Sequence, residues 1–235
     1  MIHRIKRPIA CLSYLRAAAT RAFSKTYNWP FLQDHVIHAR WDEIGVGWPK
    51  VADDMQAELK KTVVMVGMMG AGKTAVGRTV AQALNVRFLD SDAEIETAAN
   101  MSVADIFARD GEPFFRQKET QVITRLLDEE RGILSTGGGA FMNPINREII
   151  SKRGVSVWLN ADLDLLWDRV RHRDTRPLLQ VDDPFAVLSD LYRRRVPVYA
   201  LADLEVAADP AYALEDMADR VIETLQTRPD VLEIN

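Results

Sequence analysis

Residues 67–74 read GMMGAGKT, and this stretch decides the fold because it fits G-x-x-x-x-G-K-[ST], the pattern of a phosphate-binding loop. The apolar, β-branched run at 62–66 before it predicts a buried strand. After it, Val76, Val80 and Leu84 recur at four-residue spacing, which predicts a helix. This order places backbone N–H groups at a helix N-terminus, where the helix dipole favours anions.

Two side chains of the loop have predicted roles of their own. We expect Lys73 to reach the β- and γ-phosphates of a nucleotide, and the hydroxyl of Thr74 to ligate Mg²⁺. A glycine-rich turn that binds nothing is the alternative, but the complete motif and its correct flanks favour nucleotide binding. The predicted nucleotide-binding residues of the loop are Gly70, Ala71, Gly72, Lys73, Thr74 and Ala75.

The composition is that of an ordinary globular protein: of 235 residues, 47% are hydrophobic and 27% are charged. No apolar run is long enough to cross a membrane, so we expect no membrane span. The single cysteine, Cys11, excludes an internal disulfide and a cysteine-based zinc cluster. A net charge of −4 gives no overall basic surface for nucleic acid. We expect a monomer with no nucleic-acid partner.

The first 60 residues differ in composition from the rest. Residues 1–33 carry six basic side chains and no acidic one, and such acid-poor, arginine-bearing, amphipathic segments are typical of organelle transit peptides. A poorly ordered extension without a catalytic role and an interaction element are the alternatives. The expected location is cytoplasmic, or an organelle if the segment is a transit peptide. The predicted organisation is an N-terminal extension (1–60), a P-loop domain (61–228) and a C-terminal tail (229–235).

From Lys60 onward, predicted strands and helices alternate, which argues for a parallel sheet covered by helices on both faces. We therefore expect an α/β fold of three layers, the P-loop NTPase fold, with a five-stranded parallel sheet. A helix beginning at Val187 is expected to stop at Pro197, because proline lacks a backbone donor. The predicted strands are 62–66, 86–89, 132–136, 155–159 and 204–206.

Two aspartates end the second predicted strand. Asp90 and Asp92 are two residues apart, and such residues in a strand point to the same face. Ligands bind at the carboxyl edge of a parallel sheet, so one carboxylate is expected to hold Mg²⁺ through water and the other to accept a hydroxyl proton. A solvated cap on the following helix is the alternative.

The strand that ends at residue 136 has no terminal acid and is followed by Gly137-Gly138-Gly139, which suggests close approach of backbone to a ligand.

Six ordered blocks make residues from about 61 to 225 similar to shikimate kinases, small P-loop kinases of aromatic amino-acid biosynthesis. The blocks are 67–74; 88–92 with 95–96; 106–107 with 111–112, 115–116 and 119; 137–139; 176–179; and 195–199. A phosphate-binding loop alone occurs in many families, whereas this ordered set is specific.

The resemblance implies a role for each matching residue around the substrate. Asp90 would act on Mg²⁺ through water, whereas Asp92 would bind the substrate hydroxyls and serve as the base. Arg116 and Arg195 would grip the shikimate carboxylate, and Glu119 would orient Arg116. The glycines Gly137, Gly138 and Gly139 would line the substrate, with the backbone N–H of Gly138 as a donor.

The resemblance also implies residues that act on the nucleotide. Lys73 and Arg176 would neutralise the transferring phosphate, Arg176 from a loop that closes over it. The arginine that stacks on adenine is ambiguous, because the preceding loop varies in length; Arg171 and Arg173 are both candidates.

The implied reaction is ATP + shikimate → ADP + 3-phosphoshikimate, with ATP as co-substrate, Mg²⁺ as cofactor and shikimate as the second substrate. Another small-molecule P-loop kinase, such as a gluconate kinase, is the alternative within the fold, but it needs no pair of carboxylate-binding arginines around a glycine triplet. A non-catalytic nucleotide-binding protein is the second alternative, and it would tolerate the loss of Asp92.

Overall fold

The computed structural model describes residues 57–171 and 181–234. Predictions for the N-terminal extension up to residue 56, and for Arg173 and Arg176, therefore lie outside the described residues. In chain order the elements are β1 (Ala57–Leu59), β2 (Thr62–Val66), α1 (Lys73–Ala83), β3 (Arg87–Asp90), α2 (Ser91–Ala99), α3 (Val103–Glu129), β4 (Gly132–Ser135), a 3₁₀ turn (Ala140–Met142), α4 (Pro144–Arg153), β5 (Gly154–Asn160), α5 (Leu163–Val170), α6 (Pro184–Tyr199), β6 (Leu204–Ala207), α7 (Leu214–Gln226) and β7 (Leu232–Ile234).

The main sheet has five parallel strands in the order β3-β4-β2-β5-β6. Its central strand, β2, is buried along its whole length, as expected for a strand with neighbours on both sides and helices over both faces. The chain leaves β2 for one half of the sheet and later builds the other half. The carboxyl end of β2 is thus a topological switch point, where open α/β sheets bind ligands. The predicted α/β fold with a five-stranded parallel sheet is confirmed.

The phosphate-binding loop joins β2 to α1 at this switch point. Gly70 and Gly72 have φ angles of +83° and +95°, in the left-handed region that glycine adopts at little cost. A Cβ atom at Gly70 would lie 2.7 Å from Cγ1 of Val170, so this glycine is also required by space. The predicted strand, loop and helix are confirmed.

Helix α6 runs through Pro197, so the prediction that this proline ends the helix is wrong. The proline removes one backbone hydrogen bond, but the helix continues to Tyr199. Tyr199 is fully buried, and its hydroxyl donates a hydrogen bond to the carbonyl oxygen of Gly138. Burying a large aromatic side chain with its polar atom satisfied outweighs the loss of one backbone bond.

A second, antiparallel sheet pairs β1 with β7. Leu59 and Leu232 are buried beneath it, and the neighbouring Lys61 and Asp230 form an ion pair of 2.8 Å. The predicted organisation placed these strands in the extension and the tail, and no local pattern in the sequence indicated that they pair.

A small hydrophobic cluster lies apart from the main core. It consists of Ile95, Ile106 and Phe115, on α2 and α3. Helix α3 bends within this region at Gly111, whose φ is +81°. The backbone at Gly111 is not helical, so α3 consists of two helical segments that meet at this bend.

Within 57–171 and 181–234, none of the helices has both the length and the apolar character that crossing a membrane requires.

Replacing Ile133 by alanine should destabilise the fold, because this side chain is fully buried on β4 in the main core. A large-to-small substitution at such a site leaves a cavity and lowers the free energy of unfolding by about 2–5 kcal/mol. Urea unfolding measures the loss. Ile145→Ala is the control, because Ile145 is 57% exposed and should change stability by no more than about 0.5 kcal/mol. Equal losses in the two variants would contradict the assignment of the core.

Candidate active site

The phosphate-binding loop forms one wall of a cleft of about 540 Å³. The Lys73 side chain is buried, and its ammonium group donates to the carbonyl oxygens of Gly67 at 2.9 Å and Met68 at 3.0 Å. These contacts hold the cation against the backbone curl that faces the cleft. The cleft is lined by loop residues 69–76 and by Arg78, Asp90, Asp92, Ser135, Thr136, Gly137, Gly138, Arg169, Tyr212, Ala213, Leu214 and Met217. All the loop residues predicted to bind nucleotide are therefore on its surface.

Arg169 lies in this cleft, and the sequence analysis missed it. Its guanidinium group is within 3.4–3.5 Å of the carbonyl oxygens of Gly70 and Ala71, and burial lowers the pKa of Arg169. Arg171, one of the two arginines predicted to stack on adenine, instead pairs with Asp168 at 3.3 Å on the surface. The second, Arg173, lies outside the described residues.

The position of Arg169 follows from the helix period. Leu166 and Val170, on α5, are buried, and both would touch a Cβ atom at Gly70. Residues three and four apart share one helix face, so Arg169, between them on that face, is directed towards the loop. This periodicity was the signal available in the sequence.

Asp90 and Asp92 both line the cleft, but not for the reason predicted. Only Asp90 belongs to β3, because α2 begins at Ser91 and contains Asp92 in its first turn. The Asp90 carboxylate caps this helix by accepting from the backbone N–H groups of Asp92 at 3.1 Å and Ala93 at 3.3 Å. The argument from strand alternation is therefore wrong, and the alternative of a helix cap describes Asp90 correctly. Both carboxylates nevertheless reach the same cleft.

The Asp92 carboxyl group is in an unusual environment. Burial raises its pKa, and the charge of Asp90 raises it further, whereas Lys73 and Arg116 oppose the shift. Its Oδ1 atom is buried and has no hydrogen-bond partner within the described residues. A buried oxygen without a partner is costly, so this atom is suited to receive the hydroxyl of a bound substrate.

Arg116 is held in place by two glutamates of its own helix. Its guanidinium group contacts the carboxylate of Glu119 at 2.9 Å and that of Glu112 at 3.1 Å. The Glu119 side chain has no exposed surface. Burial raises the pKa of Glu119, and the charge of Arg116 and its hydrogen bond oppose this. The predicted contact in which Glu119 orients Arg116 is therefore present.

Two glycines of the triplet, Gly137 and Gly139, lie so close to these charged groups that little room is left for a side chain. A Cβ atom at Gly137 would lie 3.0 Å from Oδ1 of Asp92, and one at Gly139 would lie 2.4 Å from Nη2 of Arg116. None of the three glycines has a positive φ. Space therefore constrains positions 137 and 139 through neighbouring side chains of the protein, whereas the close approach of this backbone to a ligand stays a prediction.

A second cavity of about 370 Å³ lies on the other side of the triplet. It is lined by Glu112, Arg116, Gly139, Met142, Asn143, Pro144 and Arg195. The two arginines predicted to bind a carboxylate thus face one cavity, although they come from α3 and α6. Gly137 and Gly138 line the first cleft and Gly139 lines the second cavity, so the triplet separates the two spaces.

Hydroxyl and carboxylate oxygens near the loop fit a magnesium ion. The Thr74 hydroxyl is 3.1 Å from that of Ser135, and Ser135 pairs in register with Asp90. All three side chains line the cleft, and Mg²⁺ prefers such hard oxygen ligands completed by water and phosphate. No group of three or more His, Cys, Asp or Glu side chains suitable for a metal occurs in the part of the chain that the structure describes.

A parallel sheet with a phosphate-binding loop, a facing buried carboxylate and an adjoining arginine-lined cavity defines a P-loop kinase that acts on small molecules. The family model for shikimate kinase matches residues 69–226. The chain belongs to the shikimate kinase family and is an ATP-dependent enzyme that phosphorylates shikimate.

Several known proteins are similar to this chain. A shikimate kinase from Ruegeria pomeroyi is 62% identical over 186 residues, which cover 79% of this chain and 95% of that protein. One from Cereibacter sphaeroides is 63% identical, covering 76% and 89%. Among solved structures, the shikimate kinase from Acinetobacter baumannii in complex with shikimate is 38% identical with a TM-score of 0.67, covering 71% and 93%.

A gluconokinase from Sinorhizobium meliloti is also similar in structure, with a TM-score of 0.50. It is only 16% identical, so it shares the fold alone. The gluconate kinase alternative is therefore not favoured.

Gly139→Ala should impair shikimate binding and leave ATP binding intact, because the new Cβ would displace the Arg116 guanidinium. We expect the KM for shikimate to rise roughly tenfold or more, the loss expected for a disturbed charged contact. Gly138→Ala is the milder comparison, since the nearest atom to its Cβ would be 3.5 Å away, an ordinary contact distance. A larger effect from Gly138→Ala than from Gly139→Ala on the KM for shikimate would argue against this steric account.

Asp92→Asn should lower kcat by about 10²–10⁴-fold, because the carboxylate predicted to act as the base is lost, and should stabilise the fold at neutral pH. The folded-state pKa of Asp92 lies above the unfolded value, so the ionised carboxylate costs stability above that pKa. The gain in stability should therefore disappear as the pH falls through the folded-state pKa towards the usual range of aspartate. Thermal unfolding of both proteins at neutral and acidic pH measures this difference in stability. A variant less stable than the wild type at neutral pH would show that the charge of Asp92 does not destabilise the fold.

Proposed function

We propose that MgATP binds in the larger cleft and shikimate in the smaller cavity, with transfer occurring beside the glycine triplet that separates them. One observation carries this proposal: Asp92 lines the larger cleft, and its carboxylate lies against Gly137 and within electrostatic reach of Arg116. The proposed base is thus next to both spaces.

The proposed nucleotide site consists of the loop backbone from Gly70 to Ala75, with Lys73 at the β- and γ-phosphates. Mg²⁺ would be held by Thr74 and, through water, by Asp90, and it would neutralise charge on the transferring phosphoryl group. Ser135, 3.1 Å from Thr74, is a further oxygen on this side. Arg169 is the proposed contact for the base of the nucleotide, because it lines the cleft together with Tyr212 and Leu214.

The proposed shikimate site uses Arg116 and Arg195 to bind the substrate carboxylate, since guanidinium groups match carboxylates with paired hydrogen bonds. Glu119 keeps Arg116 oriented, and the backbone of residues 137–139 lines the ring. The relative from Acinetobacter baumannii, solved in complex with shikimate, supports shikimate as the occupant.

In the proposed reaction, the 3-hydroxyl oxygen of shikimate attacks the γ-phosphorus of ATP while the bond to the bridging β–γ oxygen breaks. Asp92 accepts the hydroxyl proton, and its raised pKa suits a base that must take up a proton. Lys73 and Arg176 would neutralise the phosphate charge; the role of Arg176 rests on the resemblance alone.

We also propose a cytoplasmic location, where ATP is available, and a monomeric enzyme. Residues 1–60 are proposed to have no part in catalysis, because every residue with a role in the reaction lies beyond them.

A coupled assay of ADP formation, with and without shikimate, tests the function, and two arginine variants test the placement of the substrates. Arg116→Ala should raise the KM for shikimate by about 10- to 100-fold, because a charge-assisted contact is lost, and leave the KM for ATP nearly unchanged. Arg169→Ala should raise the KM for ATP roughly several-fold and leave the KM for shikimate nearly unchanged. ADP formation that does not depend on shikimate would overturn the function. If Arg116→Ala raised the KM for ATP and Arg169→Ala raised the KM for shikimate, only the placement of the two substrates would be overturned.

A further inference from the structure

Tyr199 connects the two sides of the site, and no step of the proposed reaction uses it. The side chain is fully buried. Its ring stacks on Phe141 at 6.5 Å and on Trp158 at 6.4 Å between centroids. Phe141 lies two residues after the glycine triplet, and Trp158 would touch a Cβ atom at Gly67. The ring is therefore fixed from both sides, and so is the direction of its hydroxyl.

That hydroxyl donates a hydrogen bond to the carbonyl oxygen of Gly138. Burial raises the pKa of Tyr199 to about 12, although the charge of Arg195 and its hydrogen bond to the Tyr199 hydroxyl oppose the shift. The phenol therefore stays protonated, and remains a donor, at any pH at which a kinase works.

The carbonyl of Gly138 shares a peptide plane with the N–H of Gly139. Peptide bonds are planar, and all of those described are trans, so the C=O and the N–H of one peptide point in opposite directions. With the carbonyl held by the buried Tyr199, the N–H of Gly139 is directed away from it. Gly139 lines the second cavity together with Arg116 and Arg195, and its N–H donates no hydrogen bond within the described residues.

A glycine triplet needs such a restraint. Glycine has more backbone freedom than any other residue, and two of the turn's own hydrogen bonds, from Ala140 N to Gly137 O and from Met142 N to Gly139 O, leave the Gly138 carbonyl unused. The Tyr199 hydroxyl supplies the missing contact.

We propose that Tyr199 is a positioning residue: its hydroxyl fixes the peptide between Gly138 and Gly139 so that the Gly139 N–H joins Arg116 and Arg195 as a donor to the substrate carboxylate. This inference rests on the proposed function, because it takes shikimate as the occupant of the second cavity. Tyr199 itself does not touch the substrate.

Tyr199→Phe tests the inference, since it removes the hydroxyl and keeps the stacked ring. The KM for shikimate should rise roughly tenfold, the size expected when a fixed hydrogen-bonding group is released, while the KM for ATP stays within about twofold. Tyr192→Phe is the matched control. Tyr192 lies on the same helix and is only partly buried against the core, so the loss of its hydroxyl should change neither constant.

Phe141→Leu separates positioning from packing, because it removes a stacking partner and keeps the Tyr199 hydroxyl. It should lower the melting temperature and raise the KM for shikimate by less than Tyr199→Phe does, because Trp158 still holds the ring from the other side. An unchanged KM for shikimate in Tyr199→Phe would overturn the inference. So would a rise in both KM values, or an equal rise in Phe141→Leu, because either would show a general effect on packing.

A second measurement needs no variant at Tyr199. In amide NMR spectra of the wild-type protein, shikimate should shift the Gly139 resonance and ATP alone should not; the absence of a shikimate-induced shift would overturn the inference. A wild-type enzyme that forms no ADP in response to shikimate would instead refute the proposed function, so the two failures are distinguishable.

Discussion

The ion pair between Arg116 and the buried carboxylate of Glu119 is the constraint on which the substrate side depends. A carboxylate without exposed surface is strongly destabilising unless a partner compensates its charge, and Arg116 supplies that charge at 2.9 Å. The same guanidinium lies so close to Gly139 that a Cβ atom there would overlap it. The helix that carries the pair, the glycine triplet and the second cavity therefore have to keep one relative arrangement.

The features that could be predicted from the sequence have local signals. The phosphate-binding loop, the strand before it and the helix after it each follow from neighbouring residues, and the parallel sheet follows from the alternation of strands and helices. Most residues of the candidate site were predicted from ordered motifs shared with a family. Those that lie within the described residues come together in the structure. Spacing alone would not have placed Arg116 and Arg195 at one cavity.

The features that could not be predicted depend on contacts between distant segments or on where an element ends. The pairing of β1 with β7 joins the two ends of the domain. Asp90 caps a helix because β3 ends at this residue, two residues short of Asp92. Pro197 stays in its helix because Tyr199, two residues later, is buried. Helix α4 begins at Pro144 behind an Asn143 cap, a start signal that the sequence analysis did not use. In the first three cases tertiary packing or capping overrode the local preference, whereas the start of α4 does have a local signal.

The two hydrophobic clusters have a consequence for how this enzyme can evolve. The cluster of Ile95, Ile106 and Phe115 supports α2 and α3, whereas the main core supports the sheet, the phosphate-binding loop and, through Leu188 and Tyr199, helix α6; Val122 packs against both. Substitutions around Arg116 can therefore be absorbed by the small cluster, whereas substitutions around Arg195 also act on the main core. Changes that reshape the second cavity during evolution should accumulate on the side of α2 and α3 rather than on the side of α6.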